Sequence, residues 1–200
     1  MARRASTGKR DYRLGIRAAV RGLWNGAFDL FEFADNMIPT IQRGLTRAAD
    51  DGLLSVGIQP SERTPQEQIA LDKRINSEFA HILPFGRDIV AGSKANGGLL
   101  RPLLDRAEMW ILRYTNVENE ARTMAATDPK LEWVWDPAKE HCTSCARLNG
   151  KVKRASFWRE MGVIPQNPPN DKLECGGWRC GCELKPTDKP VSRGPLPGLP

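Results

Sequence analysis

Residues 100–124 read Leu100-Arg101-Pro102-Leu103-Leu104-Asp105-Arg106-Ala107-Glu108-Met109-Trp110-Ile111-Leu112-Arg113-Tyr114-Thr115-Asn116-Val117-Glu118-Asn119-Glu120-Ala121-Arg122-Thr123-Met124. Within this run Leu100, Leu103, Ala107, Trp110, Ile111, Tyr114, Val117, Ala121 and Met124 recur at helical spacing. The stripe predicts one helix of about seven turns, roughly 40 Å at 1.5 Å per residue. A stripe of this kind is core rather than a cofactor box. Its length relative to a chain of 200 residues predicts an elongated helical body, packed on itself or against other chains.

The segments upstream carry the same period. Ile16, Val20, Leu23, Ala27, Leu30 and Phe31 predict an amphipathic helix that Pro39 ends. Ile38, Ile41, Leu45 and Ala48 predict a second, closing near Asp50-Asp51-Gly52. Thr64-Pro65-Gln66-Glu67 combines a threonine cap, a proline at the first helical position and a glutamate placed to close a capping box. That helix continues through Ile69, Ile75, Phe79 and Ile82 to Pro84, and the Gly-rich residues 85–98 predict a loop. Downstream, Leu131, Trp133 and Trp135 alternate with Glu132, Val134 and Asp136, the period of a short strand. Asn149-Gly150 predicts a two-residue hairpin turn flanked by strands at Leu148 and Val152.

Five cysteines crowd into 41 residues as Cys142-x-x-Cys145 and Cys175-x4-Cys180-x-Cys182, and the remaining 159 residues hold none. Two thiols at i and i+3 across a turn can grip a tetrahedral Zn²⁺, with two more arriving from a distant knuckle. An all-thiolate sphere is closed, so the expectation is a structural zinc rather than a catalytic one. Cys142 and Cys145 are its firmest ligands, two of Cys175, Cys180 and Cys182 complete it, and His141 is a substitute donor. Disulfides prefer an even count. The Met-Ala-Arg-Arg start, without an apolar segment, gives no expectation of an oxidising compartment. A redox Cys-x-x-Cys opens a helix after a buried strand, and Thr143-Ser144 offers no such cue.

Charge and composition bound what remains. No stretch approaches the ~20 apolar residues of a membrane span. The net charge is +6, and residues 1–22 carry Arg3, Arg4, Lys9, Arg10, Arg13, Arg17 and Arg21 against Asp11 alone. The rest of the chain is therefore neutral overall. A basic arm of this kind is either an ordinary solvated terminus or a contact for DNA phosphates or an acidic protein surface. Arg13, Arg17 and Arg21 recur every four residues along one side of the first helix. No phosphate cradle, nucleophile elbow or His-Glu-x-x-His appears, so no residue is read as catalytic and the chain is not read as an enzyme.

The expected organisation is mainly α: a basic disordered arm over 1–12, a helical body over 13–128, a cysteine-rich zinc-binding α+β module over 129–187, and a Pro-rich flexible tail over 188–200. Trp133-x-Trp135, Cys142-x-x-Cys145-Ala146-Arg147-Leu148-Asn149-Gly150-Lys151 and Cys175-x4-Cys180-Gly181-Cys182-Glu183-Leu184-x-Pro186 follow one another in that module. This order resembles the C-terminal region of the phage Mu F-like head morphogenesis, or minor head, proteins. Those carry a Trp-bearing strand, a Cys-x-x-Cys-Ala-x-Leu-x-Gly-Lys turn and a closing His-Pro-x-Cys-Arg-Cys. Here Cys175-Gly176-Gly177-Trp178 stands where the family has His-Pro, and Arg179 precedes Cys180 while Gly181 separates the last two cysteines. The motif match covers about residues 130–187; upstream the similarity is one of pattern only.

The resemblance implies a tailed-phage or prophage virion protein, made in the host cytoplasm and acting in several copies at the portal or head-tail junction. Portal, capsid or neck proteins would be its partners, and phage DNA a further one through the basic arm. The alternative is a zinc-containing nucleic-acid-binding protein of a cell or mobile element. A toxin-like or transferase enzyme is a third class, since Mu F-like modules can be fused to catalytic domains, and the chain leaves no room for one.

Overall fold

The structure, a computed structural model, describes residues 7–178 and 180–199. Among the described residues, seven α-helices and three short strands make the fold mainly α with a small antiparallel sheet near the C-terminus, as the periodicity predicts. The chain divides into two compact units, Met1–Ala48 with Gln68–Tyr114, and Ala49–Glu67 with Thr115–Pro200. The unit that holds the cysteines is thus larger than 129–187, because it also takes residues 49–67, 115–128 and the tail.

In the first unit, α1 (Thr7–Trp24) buries Tyr12, Ile16, Ala19, Val20 and Leu23 along one face. The expected disordered arm is therefore helical from Thr7 onward, while residues 1–6, with Arg3 and Arg4, lie outside the described residues. The break expected at Pro39 falls instead at Asn25-Gly26. Gly26 has φ +79°, and Ala27 and Phe28 donate back to the Gly22 carbonyl at 2.8 and 3.1 Å. Only a residue tolerant of left-handed backbone closes a helix this way.

Asp29 then restarts the chain with a reciprocal capping box. Its Oδ1 accepts the Phe31 and Glu32 amides at 2.8 Å, and Glu32 Oε2 accepts the Asp29 amide at 2.8 Å. The helix that follows, α2 (Leu30–Leu54), runs through Pro39. The proline forfeits one backbone donor, and Thr40 Oγ1 donates to the Asn36 carbonyl at 2.7 Å beside it. The core of Phe33, Met37, Ile41 and Leu45 sustains the helix across the defect.

Thr64 caps α3 (Pro65–Phe79) as predicted, with Glu67 Oε2 accepting the Thr64 amide at 2.7 Å. The expected loop over 85–98 is corrected by α4 (Ile82–Ala91), whose Ile82, Phe85 and Ile89 are buried. Pro84 lies in its first turn, where a missing N–H costs nothing, so the proline starts this helix rather than ending the previous one.

The long stripe forms α5 (Leu100–Met124), and its first part belongs to this unit. Trp110 is 6 % exposed, with its ring 5.1 Å from Phe85, and Phe85 lies 6.4 Å from Phe33. Tyr114 is fully buried 5.9 Å from Tyr12. Trp110 is a core residue of the chain itself.

The second unit contains β1 (Lys130–Val134), α6 (Thr143–Leu148), β2 (Val152–Arg154), α7 (Ala155–Glu160) and β3 (Glu183–Pro186). The sheet order is β2-β1-β3, both pairings antiparallel, with Leu131 opposite Lys153 and Trp133 opposite Leu184. Leu131 and Trp133 point into a core with Leu148, Trp158, Val163 and Leu184, as the alternation predicts. Trp135 lies past the strand and is exposed. Asn149-Gly150 connects α6 to β2 rather than two strands, because Leu148 ends a helix.

The tail expected to be flexible is packed. Ser192 exchanges hydrogen bonds with Val152, Lys153 Nζ donates to the carbonyls of Ser192 and Gly194, and Leu196 and Leu199 cover the core. The free edge of β2 explains this, since unpaired backbone groups there accept an extended segment.

The last turns of α5 turn polar where they meet β3. Asn119 Oδ1 accepts the Leu184 amide at 2.9 Å, and Arg122 Nη1 donates to the Leu184 carbonyl at 3.1 Å. Arg122 also reaches Ser55, Asn119 and Glu118 and is only 4 % exposed. These side chains replace the missing neighbour strand at the outer edge of β3. Asn119→Ala should therefore cost about 1–3 kcal/mol, the penalty of a buried amide left unpaired. Urea unfolding followed at the tryptophans measures it.

A candidate metal centre of five thiols

Four structural devices bring the two cysteine groups together. Cys142 is the N-cap of α6 and Cys145 lies one turn inside it, with the Cys145 amide donating to Cys142 Sγ at 3.4 Å. The pair thus does open a short helix after a strand, contrary to the expectation from Thr143-Ser144. Those two residues instead clamp the distant knuckle: the Thr143 amide donates to Glu174 Oε2 at 2.7 Å, and the Glu174 amide to Ser144 Oγ at 3.0 Å. This reciprocal pair sets Cys175 beside the first two thiols. Gly176 and Gly177, with φ of +60° and +78°, then turn the chain back. Such consecutive left-handed residues are accessible to glycine without strain. Pairing of β3 with β1 delivers Cys180 and Cys182 just ahead of Glu183.

All five predicted ligands meet. The sulfurs of Cys142, Cys145 and Cys175 lie within 4.8 Å of one another, as do those of Cys145, Cys180 and Cys182. Cys145 belongs to both groups. Cys145, Cys180 and Cys182 are buried, whereas Cys142 and Cys175 are half-buried, and no disulfide links any of them. This arrangement can hold a metal ion.

The electrostatics fit such an ion. Hydrogen bonds from Cys145, Cys175 and Cys182 favour the Cys180 thiolate and push its pKa far down. The Cys145 thiol is pushed far up, because the neighbouring sulfurs of Cys175, Cys180 and Cys182 favour its protonated form and it is partly desolvated. Cys182 is pushed up to about 12: the hydrogen bond from Cys145 favours its thiolate, but donation to Cys180 and burial outweigh it. Cys175 is pushed up to about 11 by the same balance.

Five sulfurs this close repel as thiolates and need a cation to ionise together. Donors are already aimed at them. The amides of Cys145, Gly177 and Cys182 favour the thiolates of Cys142, Cys175 and Cys180, respectively. The buried Trp133 indole N–H has no hydrogen-bond partner, and its nearness to Cys182 favours that thiolate. An orphaned donor facing a sulfur is what a metal-thiolate shell uses to set ligand charge.

His141, the substitute donor, is also in place. Its ring stacks on Trp135 at 4.8 Å, Nε2 lies 2.7 Å from the Asp136 carbonyl, and Nδ1 lies 3.8 Å from Cys182 Sγ. The carbonyl can only accept, so Nε2 carries the proton. In the neutral tautomer that this bond selects, Nδ1 presents its lone pair on the side of the cysteines, the usual second-shell arrangement for a ligating histidine.

Cys175 and Cys182 hold their protons at pH 7 in the metal-free cluster, so a metal ion must displace them. Affinity should therefore rise with pH and fall as protons compete below neutrality. Competition with a chelator dye between about pH 6 and pH 8 measures this slope.

The basic residues behave differently from the cysteines. Arg13 and Arg17 both meet Glu108 of α5, the first at 3.7 Å, so they form an internal ion-pair cluster rather than a free cationic edge. Arg10 lies 3.5 Å from Asp11, and Lys9 also has a partner. Arg21 is exposed. The sequence signal for this was Glu108 in the long helix, whose pairing cannot be read without the tertiary fold. Arg3, Arg4 and Arg179 lie outside the described residues. No described helix is long and apolar enough to cross a membrane. No protein-family model matches the chain, and no curated protein and no solved structure matches it at a significant level.

Proposed function

We propose that this protein is a minor head protein of a tailed phage or prophage, stapled at its C-terminal end by structural zinc and acting without catalysis at the portal or head-tail junction. One observation carries the reading. The residues that make up the Mu F-like motif order, Trp133, Cys142, Cys145, Cys175, Cys180 and Cys182, converge on one core and one donor cluster. A motif that folds as a unit is better support than a motif that is merely spelled out. Zinc is the ion favoured by a thiolate set with a histidine beside it, because it takes sulfur and nitrogen donors tetrahedrally.

The role is assembly: a small rigid unit, present in several copies, presented to portal, capsid or neck proteins. The N-terminal cations add contact with phage DNA or an acidic portal surface. With Arg13 and Arg17 engaged by Glu108 and Arg10 beside Asp11, Arg21 is the exposed described candidate for it.

Particle composition tests the proposal. The chain should co-purify with phage heads or neck complexes from induced lysates, and deleting its gene should leave unfilled or tailless particles. A chain absent from particles, with normal assembly after deletion, contradicts the reading. If that chain instead binds DNA in a steeply salt-dependent way, the nucleic-acid-binding alternative replaces it.

A further inference from the structure

The sulfurs gather as two overlapping groups of three rather than as one mutual group of four. A single four-thiolate zinc needs four sulfurs mutually about 4 Å apart, as Zn–S bonds of ~2.3 Å dictate. The mutual groups here stop at three: Cys142, Cys145 and Cys175 on one side, Cys145, Cys180 and Cys182 on the other. Cys145 is the shared corner. From this geometry we propose that the cluster is a two-metal site, with Cys145 as a bridging thiolate between two zinc ions. The proposal rests on the metal-staple reading above and deepens it.

Each donor then has a place. The inner ion takes the buried sulfurs of Cys145, Cys180 and Cys182, and His141 Nδ1 closes a Cys₃His tetrahedron from its position 3.8 Å from Cys182 Sγ. The hydrogen bond from Nε2 to the Asp136 carbonyl orients the ring for that role. The outer ion takes Cys145 with the half-buried Cys142 and Cys175, and its fourth position faces the more exposed side of the cluster.

The charge balance points the same way. Four thiolates on one divalent ion leave two negative charges and a spare thiol in a largely buried cluster, while five thiolates on two divalent ions leave one. The fifth cysteine, surplus in any one-metal scheme, becomes a ligand.

Native mass spectrometry of the full chain, purified without chelator and titrated with Zn²⁺ alone, tests this. The wild type should carry two zinc ions, and Cys142→Ser, which removes only an outer ligand, should carry one. His141→Ala should keep its folded charge-state distribution while its inner zinc exchanges at least tenfold faster with a chelator. One zinc in the wild type overturns the two-metal site and leaves the staple standing. Two zinc ions in Cys142→Ser also overturn it, since the second is then adventitious. No zinc in the wild type overturns both.

Discussion

Cys145→Ser should unfold the cysteine-bearing unit while leaving the helices of the other unit formed. Cys145 is fully buried, shares a donor group with every other cysteine and sits in the core beside Leu131, Trp133 and Trp158. Structural zinc contributes on the order of 10 kcal/mol of folding free energy to a small unit. The three-stranded sheet has strands of only three to five residues and cannot supply an equivalent. The expected result is a loss of the near-ultraviolet signal from Trp133 and Trp158, which lie 5.8 Å apart, with most far-ultraviolet helical signal retained. A variant that keeps its near-ultraviolet spectrum and melts as the wild type does would show that the cysteines pack without metal.

The second large effect belongs to Trp110→Ala, at about 3–5 kcal/mol of destabilisation. Trp110 fills the space against Phe85, while Phe33 lies beyond that ring and Arg106 stacks over it at 5.1 Å. Removing the indole leaves a cavity bounded by three helices that cannot all collapse into it. A lowered melting midpoint of the isolated chain is the expected result. An unchanged midpoint with loss of assembly would mean that Trp110 serves a neighbouring subunit instead. Its indole N–H is buried without a partner, so Trp110→Phe should cost far less than Trp110→Ala.

How much of this was legible in the sequence depends on where the information is stored. The long helix, the Thr64 cap, the Trp133 strand and the meeting of Cys142 and Cys145 with cysteines of the 175–182 group are readable because period and residue chemistry are local signals. The run of α2 through Pro39 was not, since the burial of Phe33, Met37 and Ile41 that offsets the lost hydrogen bond is tertiary. The Asp29-x-x-Glu32 capping box is a local signal that the proline at position 39 masks. Residues 82–91 looked like a loop because Pro84 and Gly86 interrupt the pattern. The proline is tolerated in a first turn, and Gly86 is buried in the helix that Ile82, Phe85 and Ile89 anchor.

At the candidate site, residue types gave the ligands but not their partition. Spacing along the chain shows that four or five thiols can meet. It does not show that they meet as two groups of three around Cys145, nor that the Asp136 carbonyl turns His141 Nδ1 toward them. In the basic arm, local charge misleads. Charge density at a terminus says nothing of internal acidic partners, and Glu108 engages two of its arginines.

The central claim is that metal bound by these cysteines holds the C-terminal unit together. The direct measurement pairs zinc analysis with thiol counting on folded protein purified without chelator. Zinc should be present and the five thiols slow to react, and a chelator should release the metal, expose all five thiols and abolish the Trp133–Trp158 signal together. Protein free of zinc and other metal ions, folded, and with five freely reactive thiols would contradict the account.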